Sequence, residues 1–126
     1  MGQDGRVPER PAAIKRLDAL FSAAMIAHEA IFEMRRELIA NDRGNAEQAG
    51  LLEESAQIVT GKLPGLTARV RQLSGKWAEQ SLLHPEGAEQ TLGEVEAELE
   101  HIEPEVQSLL SRQREIAARL RSMLEP

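Results

Sequence analysis

Glu98 and His101 stand three residues apart in ELEHIEPEV, the Glu-x-x-His spacing with which a helix offers a carboxylate and an imidazole to one metal ion. A dinuclear centre of that kind needs a second such motif and further inward carboxylates, and the sequence has no second Glu-x-x-His. Both residues also flank the apolar stripe of their segment instead of lying on it, so no metal and no cofactor are expected. His28 falls on an apolar stripe. No Ser, Cys or carboxylate is placed by spacing to work with it, so it reads as a core or boundary histidine and not a general base. His84 precedes Pro85 in a turn and is expected at the surface. GKLPG at 61–65 has neither the length of a phosphate-binding loop nor a strand before it. Cysteine is absent, which removes thiol nucleophiles, thiolate metal sites and disulfides together. No catalytic residue is assigned, and the chain reads as a non-enzyme.

The elements that carry these residues are helices. At 126 residues the chain is one domain's length, and its two Phe, one Trp and 29% charged residues suit a helical chain built on Leu, Ala, Glu and Arg better than a sheet. Residues 1–10 read as a tail and 11–126 as a single helical domain. MGQDGRVPERPAA lacks the apolar core of a signal peptide, and no run of about 18 apolar residues occurs, so the cytoplasm is the expected compartment and membrane insertion is not expected. Arg6 stands where N-myristoylation wants Ser or Thr.

Three periodic stretches follow, predicted as helices over 11–41, 46–80 and 86–124. Pro11 suits a first helical turn, and Ile14, Leu17, Phe21, Ala24, His28, Ile31 and Leu38 keep a three-four spacing. In NDRGN, Gly44 reads as a stop, and Asn45 with Gln48 reads as a cap for the next helix. Ala49, Leu52, Ala56, Val59, Leu63, Leu66, Val70, Leu73 and Trp77 step by three and four like a coiled-coil seam, interrupted by Gly61, Pro64 and Gly65, where a kink is expected. The last stretch repeats the pattern through Leu92, Val95, Leu99, Ile102, Val106, Leu109, Gln113, Ile116, Leu120 and Met123, with a second bend expected at Pro104. The predicted fold is all-α: an antiparallel three-helix bundle, or long helical hairpin, with coiled-coil-like heptad packing.

The net charge of −6 is uneven. Residues 1–43 carry seven basic and seven acidic groups, 44–80 four and four, and 81–126 four and ten. That excess disfavours nucleic acid and anionic membrane as partners. It also orients the hairpin. The acidic block 86–105 matches Lys62, Arg69, Arg71 and Lys76, while Arg112, Arg114, Arg119 and Arg121 run along Glu47, Glu53 and Glu54 when the chain folds back near residue 82. Leu73 then faces Leu92, and Val70 faces Val95.

ELIANDRGNAEQAGLLEE at 37–54, with KLPGLTARVRQL at 62–73 and a long amphipathic last helix, resembles the FlgN-type flagellar export chaperones over about 14–124. The resemblance implies a small acidic cytoplasmic helical protein that binds an amphipathic helix of a secreted hook-filament junction subunit. The alternative is a structural, self-assembling coiled coil or adaptor without a separate client. Leu82, Leu83, Phe32, Ile39, Leu110 and Leu124 are apolar residues off the seams that could widen the core or line a client groove. Gln113, the one polar seam residue of the last helix, marks a level that is either wet until a partner arrives or fixes register. The expected partner-binding face, only partly covered in the free chain, is Val106, Leu109, Leu110, Gln113, Ile116, Leu120 and Met123.

Overall fold

The computed structural model of the chain describes residues 12–40 and 46–125. The expected tail, Pro11 and the Gly44 and Asn45 stop and cap lie outside the described residues. Of those described, only His84 and Glu125 are not helical. Helix α1 spans Ala12–Ala40 and α2 spans Ala46–Gln57; a π-helical turn, Ile58–Lys62, leads into α3, Leu63–Leu83. A 3-10 turn at Pro85–Gly87, with Gly87 N–H donating to the His84 carbonyl at 3.0 Å, reverses the chain into α4, Ala88–Leu124. His84 is exposed, as its place before Pro85 suggests.

The π-helical turn answers Pro64. In a regular helix the proline ring would press on the Thr60 carbonyl, four residues back, and leave it without a donor. The turn before it is instead widened: the Leu63 N–H donates to the Ile58 carbonyl, five residues back, and Pro64 enters α3 within its first turn, where a missing N–H is harmless. The Thr60 hydroxyl donates to the Ala56 carbonyl at 2.8 Å inside the same region. So the expected interruption is a bulge that holds one extra residue, and the helix is not broken. Its consequence is a change of phase. Below the turn the seam runs as expected through Leu63, Val70, Leu73 and Trp77, all buried. Above it the buried residues are Gln48, Ser55 and Ile58, one position earlier than the predicted Ala49, Ala56 and Val59; Ala49 and Ala56 are exposed.

Helix α4 passes through Pro104 as one helix. The carbonyl deprived of its donor there belongs to Glu100, and both residues are exposed, which leaves water to satisfy it.

The three helical arms pack side by side, and α1 makes its broadest contact with α4. Charge pairs report the directions. Arg69 meets Glu98 at 2.5 Å, Arg112 meets Glu54 at 2.5 Å and Arg119 meets Glu47 at 2.7 Å, so α2 and α3 run antiparallel to α4 in the register that charge matching predicts. Arg16 meets Glu103 at 3.3 Å, and α1 runs parallel to α4. The core has two connected halves. One joins Ile14, Leu17, Val70, Leu73, Trp77, Val95, Leu99, Ile102 and Val106. The other joins Ala24, Ile31, Leu38, Ile58, Leu63, Leu110, Ile116 and Leu120, with the partly buried Leu20 and Phe21 packed against both. Burying each large aliphatic side chain contributes about 1.5–3 kcal/mol, so these stripes hold the bundle together far more than its surface ion pairs do.

Candidate partner-binding surfaces

Gln113, the polar residue of the α4 seam, is fully buried, and so are Val106, Ile116 and Leu120; Leu110 is 5% exposed. Only Leu109 and Met123 of the expected face are half-buried. The expectation of a partly covered face along these residues is therefore corrected: α1 lies over it. A helix flanked by two others must bury a wider stripe than a single seam, which is why Leu110 and Ala117 go inside as well.

Gln113 instead belongs to a polar layer with one member from each arm. Its Nε2 donates to the Ser55 carbonyl at 3.4 Å, and the Ser55 hydroxyl lies 3.0 Å from His28 Nδ1. The Gln113 Oε1 is buried with no hydrogen-bond partner among the described residues. Spacing along the chain offers His28 no serine to work with; the fold supplies Ser55 from 27 residues away, turned inward by the phase change at the π-helical turn. A Ser–His contact can activate a nucleophile, but Ser55 is 0% exposed, and no carboxylate bonds the other His28 nitrogen among the described residues. What the layer can do is fix register, because sliding any arm separates its three members.

Metal chemistry has no centre among the described residues: no group of three or more His, Asp or Glu comes together, Glu98 is held by Arg69, and His101 is exposed. No helix among the described residues is long and apolar enough to cross a membrane.

Grooves flank α1 on two sides. On one side Ala23, Ala27 and Ala30 of α1 and Ala117 of α4 form a shallow floor, edged by Ile26, which is 66% exposed, and by Arg114 and Arg121. On the other side α1 and α2 enclose an apolar trough lined by Phe32, Ile39, Ala49, Leu52 and Ala56. Arg35 stands 5.5 Å over the Phe32 ring, and His28 lies 6.2 Å from it. Phe32 and Ile39 thus stay outside the core, as their position off the seam allows, whereas Leu110 widens it.

The arginines of α4 divide between the two sides. Arg112 holds Glu54 through two bonds, at 2.5 and 2.8 Å, and Arg119 holds Glu47. The hydrogen bond from Arg112 keeps the Glu54 carboxyl below its usual range, helped by the charges of Arg112 and Lys62 and opposed by partial burial. Arg114 and Arg121 make no ion pair with another described residue.

No family model matches the chain, and no curated protein or solved structure gives a significant match.

Proposed function

We propose that this chain is a non-enzymatic helical interaction protein that holds an amphipathic helix with an acidic flank in the groove between α1 and α4. The division of the α4 arginines carries the reading. Two are engaged by α2, while Arg114 and Arg121, which make no ion pair with another described residue, stand at the rim of an alanine-floored groove with an exposed isoleucine beside it. Alanine lets a helix backbone come close, Ile26 offers apolar contact, and the two guanidinium groups lie two helical turns apart, about 10.5 Å along the axis. A docked helix with two carboxylates seven residues apart would meet both. The Ser55 hydroxyl, closed off beside His28, argues for binding over turnover.

The resemblance of residues 37–54 and 62–73 to the FlgN-type chaperones favours a small export chaperone of the cytoplasm, whose client helix comes from a secreted hook-filament junction subunit. A hook-associated reading frame beside this gene would support that role. The docking itself is tested with a labelled helical peptide carrying leucine on one face and glutamates seven apart. Binding should weaken about tenfold or more in Arg114→Glu/Arg121→Glu and return when the peptide glutamates become lysines. No binding by the wild-type chain, or binding indifferent to both reversals, overturns the reading.

A further inference from the structure

The opposite side of α1 carries a different surface. Met25, Phe32 and Ile39 stand seven residues apart along it and are 43%, 45% and 65% exposed. Across the trough, α2 presents Ala49 and Ala56, which the phase change at the π-helical turn leaves exposed, with the half-buried Leu52 between them. Small and large apolar residues thus form two adjoining stripes, one on each side of the trough.

We infer that the occupant is a second copy of this chain, with the two α1 helices antiparallel across a two-fold axis at Phe32. The stripe is its own complement when reversed. Met25 and Ile39 are equidistant from Phe32 in sequence, so turning α1 end for end sets Met25 of each copy against Ile39 of the other and Phe32 against Phe32. The charged residues fit the same operation. Glu29 of each copy comes within one residue of Arg36 of the other, and neither residue makes an ion pair with another described residue of its own chain. A parallel pairing would bring no such Glu29–Arg36 contact, because it leaves the two residues seven positions out of level. A two-fold interface needs a self-complementary patch, and the antiparallel arrangement provides one in which the charges as well as the apolar residues match. The patch lies across α1 from Ile26 and Arg114, so a dimer formed here leaves the acidic-helix groove open.

Sedimentation velocity from nanomolar to hundreds of micromolar chain tests the dimer. The wild-type chain should pass from monomer to dimer within that range, and Phe32→Glu should remain monomeric while keeping its helical circular dichroism. Glu29→Arg and Arg36→Glu alone should each weaken the homodimer about tenfold, because two symmetric attractions become two repulsions. An equimolar mixture of those two variants should restore dimerisation, since the two substituted positions then face each other with opposite charges across the mixed interface. A wild-type chain that stays monomeric throughout overturns the inference. So do charge variants that dimerise like wild type with no gain on mixing. Both charge positions are exposed, so this arm decides the matter even if Phe32→Glu fails to fold.

Discussion

The two halves of the core are built on different terms. Between Ile14 and Val106 the buried contacts are apolar, α3 is regular, and the polar exceptions, Ser81 and Thr91, sit out at the α3–α4 turn. Between Ala24 and Leu120 the same three arms enclose Gln113, Ser55 and His28 and adjoin a π-helical turn. Apolar heptads are nearly interchangeable, so the first half supplies stability yet would tolerate a slip of one repeat. The second half gives up some stability to forbid that slip.

The largest test of this contrast is Leu99→Ala against Ser55→Ala. Leu99 is fully buried, and its truncation should cost about 2–5 kcal/mol in denaturant unfolding. Ser55→Ala leaves its carbonyl for Gln113 and strips only the hydroxyl from a half-buried His28, so about 1 kcal/mol is expected. Equal costs would mean that the polar layer is as much a source of stability as the apolar half, and the contrast would fail.

Gln113→Leu sharpens it from the other side. The amide has one long bond and a buried oxygen without a partner, so leucine should stabilise the chain by about 1 kcal/mol, or about 4 °C in melting temperature. The same change should broaden amide resonances around residues 55 and 113 if register is loosened. A destabilised variant would show that the amide is better satisfied than its single bond suggests.

Glycine replacements compare the regular helix with the widened turn at smaller scale. An added Cβ at Gly75 in α3 or at Gly61 in the turn meets nothing within 4 Å. Gly75→Ala should gain about 0.5–1 kcal/mol in thermal unfolding, because alanine favours α geometry and restricts the unfolded chain. Gly61→Ala should gain less, because residues 58–62 do not have that geometry.

How much of this was legible in the sequence follows the same division. Periodicity and charge carried the all-α fold, the antiparallel α3–α4 hairpin and its register, because Arg112, Arg119 and Arg69 have complementary glutamates that only one pairing satisfies. Gly61, Pro64 and Gly65 signalled an irregularity but not its form. A break would have kept Ala49 and Ala56 inward; a five-residue step from Ile58 to Leu63 turns Gln48 and Ser55 inward instead. That shift concealed the Ser55–His28 contact and the α2 stripe of the trough, whereas Phe32 and Ile39 of the α1 stripe stood off the seam in the sequence itself. Placing α1 over α4 then covered the face assigned to a partner, since a one-dimensional seam does not tell which of two neighbours each residue meets.

The smallest expected stability effect separates the two flanks of α4. Arg112→Ala/Arg119→Ala breaks pairs whose side chains are between 40% and 62% exposed, so only about 0.5 kcal/mol should be lost at neutral pH. Part of that loss depends on Glu54. Its folded pKa is depressed from 4.5, so its contribution is full above that value and vanishes as pH falls through the folded pKa; in strong acid the single variant Arg112→Ala and wild type should converge. Arg114→Ala/Arg121→Ala removes no ion pair among the described residues and should leave unfolding unchanged at every pH, yet it should weaken the acidic peptide where the first double variant does not. One flank would then change stability without binding and the other binding without stability. If both variants behave alike in both measurements, the four arginines form a single electrostatic surface, and the separation of an internal from a docking flank fails.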